Sequence, residues 1–263
     1  MTVVRRHLLT AFALLALAYL LLPIAVVVLF SFNDPVGRFN YTWSGFTLDN
    51  WANPFGVPGL ADAMRASLEI AVLASLASTV LGTLIALALV RYAFRGRGAT
   101  NLFIFLPMTT PEVVLGASLL TLFLNFGVAT GFWTIVLAHV MFNISFVVVT
   151  VRARLVGFDR HLEEAAMDLG ANGWQTFTRV TLPLIAPGIL AGALLAFALS
   201  VDDFVITSFN AGATVTFPLY VWGAARVGVP PQVNVLGTLI FVVAAGLMLA
   251  TVLLQNRRAK GTA

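Results

Sequence analysis

Six long apolar runs, separated by shorter polar segments, dominate the hydrophobic pattern of this 263-residue chain. A helix crosses the hydrocarbon core of a bilayer with roughly 20 residues, and each run reaches that length. The pattern predicts helices near residues 8–31, 67–90, 101–125, 131–151, 184–207 and 233–254. We therefore expect an all-α membrane protein with six transmembrane helices in a single domain, residues 1–263.

The first run follows Arg5 and Arg6, as the apolar core of a signal peptide would. It is longer than such a core, and no small-x-small cleavage site stands at its end. We expect it to remain in the protein as a transmembrane helix.

Composition and charge agree with this class and predict the orientation. Hydrophobic residues make up 60% of the chain and charged residues 10%. With a cytoplasmic N-terminus, twelve Lys and Arg fall in cytoplasmic segments and three outside, which is the positive-inside bias and places both termini in the cytoplasm. The cytoplasmic residues are Arg5, Arg6, Arg91, Arg95, Arg97, Arg152, Arg154, Arg160, Arg179, Arg257, Arg258 and Lys260, and the outer ones are Arg38, Arg65 and Arg226.

This asymmetry explains the net charge of +4 and gives no reason to expect a nucleic-acid partner. The chain has no cysteine, which excludes thiol catalysis, disulfides and thiolate metal sites.

The long polar segment between the fourth and fifth runs has the pattern of two short helices. Its apolar residues recur at i, i+3, i+4 and i+7, at Leu162, Ala165, Ala166 and Leu169, and Asp159 stands where it can cap the helix start. A membrane protein that exposes an apolar stripe on a cytoplasmic loop usually presents it to a partner.

Signals for a helix end and a second helix start follow directly. Gly170 stands where a helix stop is expected, and Asn172 can cap a second short helix that carries Trp174 and Phe177 before Pro183.

Three carboxylates fall inside the predicted spans, where a charge is unfavourable by a few kcal/mol. Glu112 lies about midway along the third run, after Pro107 and Pro111, and two prolines in one span indicate a broken helix that faces protein or a water-lined path. Asp202 and Asp203 lie towards the outer end of the fifth run. No Lys or Arg of the chain lies at these depths, which suggests a route or gate for a cation.

Other roles for these acids stay open. An intramembrane acid can be protonated, can pair with an Arg of a companion subunit, or can cap a kinked helix. For Glu112 the functional and structural interpretations are balanced. For Asp202 and Asp203 we favour a cation-facing role, because adjacent side chains on a helix point ~100° apart and rarely both find structural partners.

The remaining polar and small residues have simpler interpretations. Glu69 follows Arg65 by four residues and indicates a helical ion pair. His139 indicates a hydrogen-bonded packing residue, and the three histidines are too far apart in sequence to support a metal site. Glycines within the spans indicate close helix packing, at Gly82, Gly116, Gly188 and Gly192.

The two long outer loops contain aromatic residues. The loop at 32–66 is expected to rest partly in the membrane interface, with an external partner as the alternative. The loop at 208–232 is too apolar to be free. We expect an interfacial or re-entrant helix around 219–226, a stretch that includes Tyr220 and Trp222.

A phosphate-binding Walker motif requires Gly-Lys-Ser/Thr, but the chain has one lysine, Lys260, followed by Gly261. Any ATPase that drives transport must therefore be another polypeptide.

The sequence Glu164-Ala165-Ala166, with Gly170 four residues further on and Leu182-Pro183 about a dozen residues later, resembles the EAA loop of binding-protein-dependent ABC importer permeases. In that family the loop inserts into a groove on the cytoplasmic ATPase. The resemblance implies the type I permease fold and assigns ATPase coupling to Glu163, Glu164, Ala165, Ala166, Asp168, Leu169 and Gly170. The alternative is an amphipathic helix that lies on the membrane surface.

From about residue 19 to residue 240 the chain looks like the polyamine (spermidine/putrescine) branch of these permeases, the second of its two membrane subunits. The segments that carry this resemblance include Ser31-Phe32-Asn33, Leu199-Ser200-Val201-Asp202-Asp203 and Gly228-Val229-Pro230-Pro231-Gln232-Val233-Asn234.

This resemblance implies a multi-pass protein of the bacterial inner membrane, in contact with lipid and paired with a companion permease subunit. Two ATPase subunits would bind ATP and Mg²⁺ on the cytoplasmic side, so this chain would carry no cofactor and would not be an enzyme. A substrate-binding protein would deliver the polyamine from outside. Carboxylates and aromatic rings suit an alkyl chain with several ammonium groups, and the expected substrate path is Glu112, Asp202, Asp203, Tyr220 and Trp222.

Three other classes of membrane protein are alternatives. An ABC permease for another organic cation, an amino acid, thiamine or ferric ion has the same loop. A secondary transporter or channel would need no EAA loop and would commonly show pseudo-symmetric halves, which are not detectable here. A membrane enzyme ranks last, because no nucleophile with its base and no metal cluster is recognisable.

Overall fold

The computed structural model describes residues 3–157 and 159–260. Five of the charges that the predicted orientation places in the cytoplasm are on side chains outside the described part, namely Arg5, Arg6, Arg257, Arg258 and Lys260. In chain order the helices are α1 Val3–Phe30, α2 Asp49–Ala52, α3 Leu60–Arg91, α4 Arg97–Thr109, α5 Glu112–Asn125, α6 Phe132–Val156, α7 His161–Asp168, α8 Gly173–Thr176, a π-helical segment Phe177–Thr181, α9 Leu182–Asp202, α10 Val205–Asn210, α11 Phe217–Val227 and α12 Pro231–Lys260.

The all-α prediction is confirmed over the described residues, whose only extended pairing is an isolated bridge between Asn33 and Phe46. Four helical stretches are long and apolar enough to cross a membrane, namely His7–Phe30, Leu60–Arg91, Phe132–Val156 and Gly173–Asp202. In α12 the described apolar part is the shorter stretch Pro231–Gly246. The count of six crossings stays a prediction.

The third predicted helix, 101–125, is two helices. α4 and α5 meet at an angle of 111°. Thr110 between them is extended, with ψ of 132°, because the ring of Pro111 excludes the helical conformation from the residue before it. Pro111 then precedes the first turn of α5, where its missing N–H costs nothing. The break that the two prolines predicted is therefore present.

The fifth predicted helix, 184–207, also differs from the prediction at both ends. The helical stretch starts earlier, at Gly173, and passes through the π-helical segment into α9. It ends at Asp202, because Asp203 is extended with ψ of 120°, and α10 begins at Val205. The second helix starts at Leu60 rather than near residue 67.

The chain divides into two compact units. One comprises Met1–Ala61 and Val221–Ala263, in which α12 packs against α1 and α2. Its first loop is ordered by Asn33, whose Nδ2 donates to Asn40 Oδ1 at 2.6 Å and whose Oδ1 accepts from the Ser44 N–H at 2.8 Å. Phe32 stacks on Trp51 with ring centroids 5.2 Å apart. Internal contacts therefore fold much of the predicted loop 32–66.

The other unit is Asp62–Tyr220. α6 packs along α9 and against α4, and α5 packs against α10. A Cβ on Gly82 would lie 2.7 Å from Val147 Cγ1, one on Gly116 2.8 Å from Phe209 Cδ2, and one on Gly188 2.7 Å from Arg154 Cβ. A Cβ on Gly192 would lie 3.5 Å from Val147 Cα, an ordinary van der Waals distance. The prediction that a glycine permits close helix packing is therefore confirmed for Gly82, Gly116 and Gly188, whereas the space at Gly192 would admit a Cβ.

Candidate functional site

The loop between α6 and α9 presents apolar side chains to its surroundings. On α7, Leu162 is 48% exposed and Met167 49% exposed, and Leu169, directly after the helix, is 90% exposed. Ala165 is also exposed and Ala166 half-buried. The predicted stripe is thus left uncovered by the rest of the described chain, as a docking surface requires.

The ends of the two short helices follow the predicted signals. Gly170 has φ of +91°, a left-handed conformation that glycine adopts without strain, and α7 ends just before it. Asn172 Oδ1 accepts from the Gln175 N–H at 2.9 Å, and Gln175 Oε1 accepts from the Asn172 N–H at 3.0 Å. This capping box starts α8 and holds Trp174 72% exposed. Asp159 accepts from the His161 N–H at 3.0 Å, next to the start of α7.

Glu163 is the one member of the coupling set that points inwards. Arg91 donates from Nη1 to Glu163 Oε2 and from Nη2 to Oε1, both at 2.5 Å, and Thr181 donates its hydroxyl to Oε1. The side chain of Glu163 is 10% exposed and that of Arg91 24%. Burial raises the pKa of Glu163, but the hydrogen bonds from Arg91 and Thr181 outweigh it, so its pKa lies below the ordinary glutamate value.

Sequence reasoning missed this pairing. Arg91 and Glu163 are 72 residues apart, and Glu163 was placed with its neighbours on the docking surface. The sequence position of Glu163 was the available signal. It lies between Leu162 and Ala165 of the apolar stripe, and a residue between stripe positions faces another side of the helix.

A cavity of about 480 Å³ opens beside the Arg91–Glu163 pair. It lies between the end of α3, α7 and α8, and its walls include Leu84, Tyr92, Met167, Trp174 and Phe177. The predicted docking surface therefore includes a groove with aromatic walls as well as the exposed stripe.

Two of the three intramembrane acids are exposed. Glu112 is the first residue of α5 and Asp202 the last residue of α9. Asp202 interacts electrostatically with Asp203 and with Glu112, so the fold brings together acids that are 90 or more positions apart in sequence. Neither Glu112 nor Asp202 forms an ion pair with a basic side chain of the described residues.

Asp203 differs from its neighbour. Its Oδ2 accepts from the Thr207 N–H and the Thr207 hydroxyl, both at 2.7 Å, and lies 3.2 Å from His139 Nε2. His139 Nδ1 lies 2.6 Å from Ser200 Oγ. His139 and Asp203 are almost fully enclosed, with side chains 3% and 7% exposed. The prediction that His139 is a hydrogen-bonded packing residue is confirmed. Asp203 has structural partners, whereas the sequence argument was that Asp202 and Asp203 rarely both have them.

The predicted helix around 219–226 is present as α11. Trp222 is 51% exposed, and the guanidinium carbon of Arg226 lies 4.9 Å from the centroid of its ring. Trp222 thus already holds a cation against its ring, and Tyr220 is half-buried. The place of both aromatic residues and of the three acids in a substrate path stays a prediction.

The chain is similar to proteins of known class. Residues 78–259 match the family described as the binding-protein-dependent transport system inner membrane component. The spermidine/putrescine transport system permease protein PotC of Escherichia coli (strain K12) is 39% identical over 245 residues, which cover 93% of this chain and 92% of PotC. The putrescine transport system permease protein PotI of the same strain is 40% identical over 236 residues, 86% of this chain and 83% of PotI.

A solved bacterial ABC transporter that imports the acidic polysaccharide alginate contains a chain with the same fold. The TM-score is 0.69 at 18% identity, and the match covers 97% of this chain and 96% of the other. The family match spans more than half of the chain, and the relatives cover nearly all of it. The chain therefore belongs to the family of inner-membrane components of binding-protein-dependent transport systems.

Proposed function

We propose that this chain is a permease subunit of an ATP-binding-cassette importer that moves polyamines such as spermidine and putrescine into the cytoplasm. One observation carries the proposal: relatives at 39% and 40% identity over most of the chain are named spermidine/putrescine and putrescine permeases.

Glu112 and Asp202 are the acids best suited to meet the substrate. Both are exposed, neither forms an ion pair with a basic side chain of the described residues, and they lie within electrostatic range of each other. Ammonium groups spaced along an alkyl chain match carboxylates spaced along a path. Asp203 positions the path instead of contacting the substrate. Its carboxylate caps α10 and contacts His139, and these contacts fix the turn that follows Asp202. Tyr220 provides an aromatic wall for the methylene groups, and Trp222, which belongs to the other compact unit, stays a prediction.

The exposed stripe on α7 and the groove beside it receive an ATPase subunit on the cytoplasmic side. Leu162, Ala165, Ala166 and Leu169 supply apolar contact, and Glu164 and Asp168 are exposed acids at the rim. Two ATPase subunits bind ATP and Mg²⁺, a companion permease completes the pathway, and an extracytoplasmic binding protein delivers the polyamine. Both termini are cytoplasmic in this arrangement.

The test is uptake of radiolabelled spermidine and putrescine by a bacterium that lacks polyamine import and expresses this chain with its genomic neighbours. We expect saturable, ATP-dependent uptake that excess unlabelled putrescine suppresses and butane-1,4-diol, its uncharged analogue, does not. An assembled complex that transports neither polyamine would contradict the assignment of polyamines as the substrate. Uptake without any ATPase would overturn the transporter class.

A further inference from the structure

We propose that the chain binds an acidic phospholipid in a basic cavity formed by the ends of α3, α4 and α6. The cavity has a volume of about 350 Å³ and is lined by Arg97, Arg152 and Arg160. Its other walls are Leu89, Val90, Leu155 and Val156, so no acidic side chain lines it. This site contains none of the proposed substrate acids and neither member of the Arg91–Glu163 pair, although Arg160 also borders the space beside that pair.

The positive charge of this cavity is only partly offset by acids of the described residues. Arg152 Nη1 donates to Asn101 Oδ1 at 2.8 Å, and Arg160 Nη2 donates to the Val90 carbonyl at 3.2 Å, so both known acceptors are uncharged. None of the three arginines forms an ion pair with an acid of the described residues. Arg160 does interact electrostatically with Glu163, which leaves Arg97 and Arg152 as the principal anion-binding groups.

The start of α4 adds to the attraction for an anion. The helix begins at Arg97, and its first turn has no acidic residue. The N-terminal end of this 13-residue helix carries partial positive charge, which favours a phosphate bound nearby. Guanidinium groups bind phosphate oxygens through two parallel hydrogen bonds.

An apolar cavity adjoins the basic one and identifies the ligand as a lipid rather than a soluble anion. It measures about 540 Å³ and shares Arg152 and Val156 with the basic cavity. Its remaining walls include Ile104, Phe105 and Val149. A phospholipid would use both parts, with its phosphate on the arginines and an acyl chain along the apolar walls. Free phosphate would use only the first part.

The predicted orientation places this site at the cytoplasmic face, where acidic lipids meet basic residues near helix ends. Lipid binding at this site depends on the proposed orientation only for the leaflet from which the lipid comes. Its test measures lipid binding without transport, so its failure would leave the polyamine proposal standing, and the reverse also holds.

The experiment is native mass spectrometry of the full chain, purified with its co-expressed partners in detergent, after addition of phosphatidylglycerol or of zwitterionic phosphatidylethanolamine. We expect preferential retention of phosphatidylglycerol. Arg97→Gln and Arg152→Gln should each lower its retention by about fivefold, and Arg152→Lys should keep part of it. The matched control is Arg95→Gln, which removes the same charge two residues from Arg97 at an exposed position that lines neither cavity.

A second variant distinguishes the lipid from a soluble anion. Ala153 is exposed and lines the apolar cavity, so Ala153→Trp should fill it and lower phosphatidylglycerol retention in a complex that elutes normally in gel filtration. Equal retention of the two lipids by the wild type would overturn the proposal. So would displacement of the lipid by inorganic phosphate at equal concentration, or a partner chain found by cross-linking at Ala153.

Discussion

At the scale of single residues, Glu163 joins three parts of the chain. It belongs to α7, its two carboxylate oxygens accept from both terminal nitrogens of Arg91 at the end of α3, and Thr181 at the end of the π-helical segment donates to it as well. A bidentate pair of this kind fixes orientation as well as distance. A displacement of α7 by a docked ATPase would therefore be transmitted to α3 and α9 through one side chain.

The lowered pKa of Glu163 gives the sign of its effect on stability. Its ionised form stabilises the fold at neutral pH, and this contribution is lost as the pH falls below the ordinary glutamate pKa and through the lowered one. We expect Glu163→Gln to reduce the free energy of unfolding by about 1–3 kcal/mol at neutral pH, with a smaller difference in acid. The measurement is thermal unfolding of the purified protein across a pH series.

The neighbouring glutamate provides the control for this variant. Glu164 is 63% exposed at its side chain and pairs only with His161, at 3.1 Å, among the described residues. Glu164→Gln should change the melting temperature little, because exposed pairs contribute little to stability. Equal destabilisation by both variants would contradict the role assigned to the Arg91–Glu163 pair.

Asp202 is the residue on which the proposed substrate path is most directly tested. Asp202→Asn removes an exposed charge without removing a partner of another side chain, so we expect polyamine uptake to fall about tenfold, or about 1.4 kcal/mol, at unchanged membrane abundance. Asp203→Asn should lower uptake and also the melting temperature, because its carboxylate holds Thr207 and His139. Asp34→Asn, in the exposed first loop, is the control. Normal uptake by Asp202→Asn would remove this residue from the path.

At the scale of helices, the sequence predicted the positions of the apolar helices more accurately than the positions of their breaks. The two prolines before Glu112 predicted the α4–α5 break, although the angle of 111° depends on packing. The break after Asp202 has no proline or glycine to mark it. It depends on Asp203, which caps α10 through the N–H and hydroxyl of Thr207 and also contacts His139 of another helix, 64 residues away. An aspartate that caps a helix start is a local signal. The contact with His139 is tertiary and, like the Arg91–Glu163 pair, joins residues that are far apart in the sequence.

The loop that is predicted to dock the ATPase is the element whose helix ends were predicted most completely, because the residues that cap and stop its helices are neighbours in the sequence. Its function is tested by Leu169→Gln. Leu169 is 90% exposed, so the substitution should leave the melting temperature unchanged and reduce co-purification of the ATPase several-fold, since a buried leucine at an interface contributes about 1.5–3 kcal/mol.

Val36 supplies the matched control for that experiment. It is 95% exposed in the first loop, and Val36→Gln makes a similar apolar-to-polar change on the opposite predicted side of the membrane. ATPase recovery should stay at the wild-type level. An equal loss in both variants would point to misassembly, and no loss in Leu169→Gln would contradict docking through this stripe.

At the scale of the whole molecule, the hydrophobic pattern was sufficient for the fold class, and family comparison supports the same architecture. Orientation rests on a different property, the distribution of arginine and lysine, and several of those charges lie near the two ends of the chain. A chain without cysteine allows the orientation to be measured directly, because any introduced cysteine is the single reactive thiol.

Val36→Cys and Leu169→Cys are suited to this measurement, since both positions are more than 85% exposed and neither side chain has a structural partner to lose. We expect a membrane-impermeant maleimide to label Val36→Cys in intact spheroplasts and Leu169→Cys only after the membrane is permeabilised. Labelling of Leu169→Cys from outside would reverse the orientation. The exposed stripe would then face the substrate-binding protein instead of an ATPase, and the acidic-lipid site would lie in the outer leaflet.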